Sequence, residues 1–160
     1  MPRYLGMGVL VALMSAQADA GPAEDLLARF AGDWEASEVG MSGATGAAMT
    51  WAPLLGGKFS RVNYRIEFAD SNFTGQGYYR AVQGETLEGF WADSNGDLHP
   101  LHATVEDMAV RTNWGRVGGR QGRTEYRLMD DDRMQVRDWM LTDAGWRPFN
   151  SSMFERVAAD

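Results

Sequence analysis

The sequence predicts an all-β fold, a single antiparallel up-and-down β-barrel of about ten strands behind a short N-terminal helix. Three observations carry this. First, Arg61 to Phe68 alternates without a break: Val62, Tyr64, Ile66 and Phe68 point one way, and Arg61, Asn63, Arg65 and Glu67 the other. A period of two belongs to a strand with one dry and one wet face. Second, similar short pieces recur at hairpin spacing to the C-terminus, separated by Gly, Asn and Asp turns. Third, no helical insertion interrupts them, so the meander closes on its own apolar face and hides its edges.

The elements follow in chain order. Ala23 to Phe30 places Leu26, Leu27 and Phe30 on one helical face, with Glu24 and Asp25 in the first turn where the helix dipole favours them. Trp34 is the first inward residue of a strand that runs to about Val39. Gly40 to Ala48, rich in Gly, Ser, Thr and Ala, reads as a loop or weak strand and a mobile lid. Thr50 to Leu55 reads as a short strand kinked at Pro53, and Gly56-Gly57 turns into Arg61 to Phe68. Phe73 to Ala81 keeps Gly75, Gly77 and Tyr79 on one face; its glycines fit tight coiling. Leu87, Gly89 and Trp91 face inward before the Asn95-Gly96 hairpin signal. Leu98 to Val105, Met108 to Trp114, Gly122 to Met129, Met134 to Leu141 and Gly145 to Val157 complete the strands.

Residues 1–20 read as a secretory signal peptide: Arg3, an uncharged apolar run from Leu5 to Met14, and Ala18-Asp19-Ala20 before Gly21. Residues 21–160 then form one domain, exported to the periplasm or the medium. Export leads to no disulfide, since the chain has no cysteine. The same absence excludes thiolate zinc sites, iron–sulfur clusters and a cysteine nucleophile. The formal charge is −7 and Lys58 is the single lysine. An acidic domain without a basic stripe argues against nucleic acid and anionic membrane as partners. No stable membrane insertion is expected once the signal is removed, because no later segment is long and apolar enough to span as a helix.

Several motifs stand in an order that resembles the calycins, the lipocalin and fatty-acid-binding superfamily. These are Gly32-Asp33-Trp34, Trp51, Gly56-Gly57-Lys58-Phe59, Gly75-x-Gly77 and Trp91-x-Asp93-x-x-Gly96. The resemblance covers most of Leu26 to Arg156 and is to an uncharacterised bacterial calycin-like family. It implies a closed barrel with a lumen and imports no reaction. The related nitrobindin-like barrels hold haem through a histidine on a late strand. This chain has only His99 and His102, so no cofactor is expected.

Parity nominates the site. Trp34, Tyr64, Tyr79, Trp91, Trp114 and Tyr126 fall on the inward face, and aromatic groups with polar tips suit a planar or amphipathic ligand; packing of a small barrel is the plainer use of each. His99 shares a face with Leu101, Ala103 and Val105, while His102 falls on the other, so the two cannot chelate one metal without a bulge. Asp93-x-Asn95-x-Asp97 has the oxygen spacing that opens a calcium loop, but Thr104 stands where the bidentate glutamate belongs, and a hairpin turn fits better. No metal is expected. Asp138 alternates with Met134, Val136 and Met140, which puts a carboxyl among apolar groups and requires a partner, a water or a raised pKa. The opposite register, with Gln135, Arg137 and Trp139 inward, is the alternative. The expected function is binding of a small hydrophobic or amphipathic molecule in the lumen. The rivals are a small-barrel isomerase or hydrolase using Asp138 with His99 or His102, and a structural protein of the cell envelope.

Overall fold

The structure is a computed structural model that describes residues 21–158. The stretch read as a signal peptide lies outside them. One helix, α1 (Pro22–Phe30), precedes ten strands: β1 (Gly32–Glu38), β2 (Ala44–Leu54), β3 (Phe59–Phe68), β4 (Asn72–Gln83), β5 (Thr86–Asp93), β6 (Leu98–Glu106), β7 (Ala109–Gly115), β8 (Gln121–Leu128), β9 (Arg133–Thr142) and β10 (Gly145–Arg156). Each strand pairs antiparallel with its sequence neighbours, and β1 pairs with β10 to close the barrel.

Alternation decides the faces. On β3, Val62, Tyr64 and Ile66 are buried and Arg65 is exposed. On β9, Met134 and Val136 are buried inward with Asp138 and Met140, and Arg137 stacks outside on Trp139 with 5.3 Å from guanidinium to ring. The register with Arg137 and Trp139 inward is therefore excluded.

Of the two readings of residues 40–48, loop or weak strand, the strand holds from Ala44. There β2 begins, and it pairs with β3 from Ala44↔Phe68 to Leu54↔Phe59, so the strand expected over Thr50 to Leu55 starts earlier. Small side chains hid it, because ladder hydrogen bonds come from the backbone and need no apolar signal. Pro53, by contrast, does not kink the chain as expected. It sits in register opposite Ser60, and the irregularity of β2 lies at Ala44/Gly46.

Helix α1 closes one end. Ala23, Leu26, Leu27 and Phe30 are buried, and the Phe30 ring meets Trp51 edge-on at 5.1 Å. Arg156, at the end of β10, anchors the helix C-terminus. Its guanidinium donates to the carbonyls of Ala31 at 2.6 Å and Arg29 at 2.9 Å, which supplies donors to acceptors left unpaired at a helix end. It also stacks over Trp34 at 4.2 Å. The Trp34 indole donates to the Phe30 carbonyl at 2.9 Å. The first and last strands are thus tied to the plug by one residue pair.

The outer wall carries one buried charge. The Glu125 side chain is only 8% exposed. It accepts from Arg111 at 2.8 Å, Arg137 at 2.5 Å and Arg127 at 3.3 Å. Burial pushes its pKa up, but the hydrogen bonds from these arginines outweigh it and hold the carboxyl at about 2.

Two outcomes are expected. In urea unfolding, Ile66→Ala costs about 2–5 kcal/mol, because it leaves a cavity in the core. Arg65→Ala costs under about 1 kcal/mol, because it removes only an exposed ion pair with Glu67. In acid, the Glu125 contribution is whole above its ordinary pKa of 4.5 and is lost as pH falls toward about 2. Glu125→Gln removes that share of the acid transition and lowers stability at neutral pH, as a melting curve at each pH records.

Candidate functional site

An aromatic layer divides the barrel interior. Trp51 on β2 packs against Phe30 on its plug side, and against Tyr126 at 5.2 Å and Tyr79 at 5.6 Å on the other. Beyond those tyrosines the interior is not filled. A cavity of about 520 Å³ lies there, with Tyr64, Tyr79, Tyr126, Trp91, Trp114 and Asp138 in its wall. Phe73, Met41, Phe149, His99, Asp97 and Arg120 complete its apolar and polar rim.

Glycine makes room for the two tryptophans of the wall. Trp91 on β5 faces Gly77 on β4, and its indole lies so flat across β4 that a Cβ on Gly75 would come within 1.9 Å of it. Trp114 on β7 faces Gly122 on β8, where a Cβ would again meet the indole at 1.9 Å. The β4 glycines therefore seat a ring rather than serve coiling alone, as a flat side chain laid on a strand demands a neighbour without one. Both indole N–H groups are engaged. Trp91 donates to Asp93 at 3.1 Å, and Trp114 to the Thr124 hydroxyl at 3.3 Å. Asp93 also accepts from the backbone N–H groups of Asn95 and Asp97, so the Asp93-x-Asn95-x-Asp97 segment is a hairpin turn.

Asp138 ends two chains of hydrogen bonds. In one, the Trp114 indole donates to Thr124, whose hydroxyl donates to Asp138 Oδ1 at 2.6 Å. In the other, the Gly40 backbone N–H donates to Ser152 at 3.0 Å, Ser152 to Asn150 Oδ1 at 2.6 Å, and Asn150 Nδ2 to Asp138 Oδ2 at 2.7 Å. An indole N–H and a backbone N–H can only donate. Each chain ends in a donor to Asp138, which accepts on both oxygens. Burial nevertheless raises the Asp138 pKa above the ordinary carboxylate value, with the bonds from Thr124 and Asn150 opposing it. Burial likewise raises Tyr64, Tyr79 and Tyr126, and the nearby Asp138 charge adds to each. The three phenols stay protonated.

Asn150 reaches this place through a β-bulge. The register of β10 against β9 shifts between Pro148 and Asn150, which moves Asn150 onto the inward face with Ser152 and Phe154. Asn150, Ser152, Thr124 and Thr112 were not foreseen from the sequence, although Asn150 and Ser152 share the parity of Phe154.

Of the residues foreseen, Tyr64, Tyr79, Trp91, His99, Trp114, Tyr126 and Asp138 lie together on the cavity. Trp34 does not. It is inward but fully buried at the plugged end, beneath Arg156. His102 is exposed on the outer face. His99 packs on Trp114 at 5.2 Å, with Nε2 3.9 Å from Asp97 Oδ2, and Asp97 also accepts from Arg120 at 2.5 Å. Among the described residues no group of three or more His, Cys, Asp or Glu side chains could hold a metal ion.

No protein-family model matches the chain, and no curated protein matches it. Among solved structures, the crystal structure of Rv2717c from M. tuberculosis aligns with a TM-score of 0.67 at 15% identity, covering 88% of this chain and 100% of that one. A redesigned β-barrel aligns with a TM-score of 0.46 at 10% identity over 87% of this chain and 100% of the design. The first likeness shows a shared fold and no more.

Gly122→Ala is expected to cost about 1–3 kcal/mol, since its methyl group displaces the Trp114 ring, and to shift the tryptophan emission. Gly119→Ala, whose Cβ would meet nothing nearer than 3.6 Å, is expected to stay within about 0.5 kcal/mol of the parent. Thermal unfolding followed by fluorescence measures both.

Proposed function

We propose that the protein binds a small apolar or amphipathic molecule in the lumen of a calycin-like barrel, after export to the cell envelope or the medium. One observation carries the reading: the interior above the Trp51 layer is a cavity of about 520 Å³ instead of packed core. Small-molecule sites run from roughly 300 to 1,000 Å³, with mostly apolar walls and a few fixed polar groups. Here the walls are tryptophan, tyrosine, phenylalanine and methionine, and the fixed polar group is Asp138 with its hydrogen-bonded supports. Leaving such a space empty forfeits packing energy in a small domain, so a ligand that fills it stabilises the fold.

The acid–base rival needs a histidine beside Asp138. His102 is on the wrong face, and His99 is directed to Asp97 and Trp114 at the rim. Both placements favour binding over catalysis.

Native mass spectrometry of protein purified from its own host is expected to show a small molecule that leaves on denaturation. A neutral naphthyl alcohol added to stripped protein is expected to quench Trp91 and Trp114 and to raise the melting temperature. At a hundredfold excess over Kd the gain is about 2.7 kcal/mol, which is several degrees for a domain of this size. Protein that carries nothing from its host and gives neither quenching nor a shift overturns the reading.

A further inference from the structure

The charge of the lumen is not balanced. Three carboxyl groups line it, Asp93, Asp97 and Asp138, against the single guanidinium of Arg120 and the imidazole of His99. Arg120 is committed to Asp97, which also faces His99. Asp93 is committed to its own turn and to the Trp91 indole. Asp93 and Asp138 both accept only from neutral groups and, among the described residues, take part in no ion pair. Asp93, however, is held by three donors of its own strand and turn, whereas Asp138 has only Thr124 and Asn150.

The two contacts sharpen this: the Thr124 hydroxyl reaches Asp138 Oδ1 and the Asn150 amide reaches Oδ2, so both oxygens are held by neutral groups and no cation is supplied. A carboxylate has about four lone-pair positions; Thr124 and Asn150 take two, leaving capacity on the cavity side. A buried carboxylate without a counter-charge is unfavourable until one arrives. The remaining wall favours the same guest. The faces of Trp91, Trp114, Tyr64, Tyr79 and Tyr126 are electron-rich surfaces that attract a cation. An anionic head would meet Asp93 and Asp138 with no free guanidinium to receive it.

We propose that the lumen selects an amphipathic molecule whose head is a protonated amine paired with Asp138, and whose apolar body lies against Trp91, Trp114 and Tyr126. The inference rests on the lumen-binding reading and names its ligand class. It separates this barrel from carriers of fatty acids and other anionic lipids.

Three probes that differ only in the head decide it: naphthyl ethylamine, naphthyl ethanol and naphthyl acetic acid, titrated calorimetrically into stripped full-length protein. The amine is expected to bind at least about tenfold tighter than the alcohol, the worth of one charge-assisted hydrogen bond, and the acid more weakly than the alcohol. Asp138→Asn is expected to abolish the amine's advantage over the alcohol, with a cooperative melting curve showing that the variant folds. An amine that binds no better than the alcohol to the parent overturns the proposal and leaves lumen binding standing. So does an amine preference that survives Asp138→Asn. Failure of all three probes to bind the parent overturns the proposal, and overturns lumen binding as well where the protein also carries nothing from its host. The ranking on the parent protein decides the matter even where the variant does not fold.

Discussion

Closure between the first and last strands is the constraint on which everything else depends. An antiparallel meander has two edges, and only their pairing gives it an inside. Here the seam runs from Trp34 opposite Arg156 to Glu38 opposite Met153, with a register shift after Ala36. The same two residues that meet at its start bind the plug: Trp34 donates to Phe30, and Arg156 holds the helix C-terminus and covers the Trp34 ring. At the far end of the seam, a Cβ on Gly40 would come within 2.0 Å of the Ser151 carbonyl. That closeness lets the Gly40 N–H reach Ser152 and begin one of the chains that ends at Asp138. The seam thus supports both the closed end and the polar site.

The interior is then divided by size. Below Trp51 the plug fills the barrel with Leu26, Leu27 and Phe30. Above it the large side chains lie flat on the wall, because Gly75, Gly77 and Gly122 give the indoles nowhere to stand but against the strands. A barrel of this strand number has room for side chains or for a small guest, and laying the tryptophans down leaves that space open. The cavity is a consequence of where glycine faces tryptophan.

Electrostatics separates two acids by face: Glu125 is buried in the outer wall and Asp138 is half-buried on the cavity wall, on opposite sides of one sheet. Three arginines surround Glu125 and hold it ionised, so it works as a clasp across β7, β8 and β9. Asp138 has neutral donors only, and its pKa moves the other way. A paired carboxylate is spent on the fold; an unpaired one retains capacity for a ligand.

Much of this was legible in the chain, and the limit has a physical form. Local sequence determined the strands, their faces and the helix, since a two-residue period and a helical face are properties of the backbone alone. It placed Tyr64, Tyr79, Trp91, His99, Tyr126 and Asp138 inward and His102 outward. Parity, however, says which face a residue occupies and nothing of its height along the barrel axis. Trp34 points in yet lies under the plug, because the stagger of closure and the docking of α1 set height. Asn150, which completes the Asp138 site, shares the parity of Phe154, but a polar residue gives no apolar signal, and only pairing with β9 sets it opposite Asp138. Strand β2 was half missed because its small residues carry no apolar signal, and only pairing with β3 makes it a strand. The sequence by itself determined the wall and the sense of each side chain. The tertiary structure decided the depth of each residue, and therefore which of the inward ones share the cavity, because register and closure join residues that no local pattern relates.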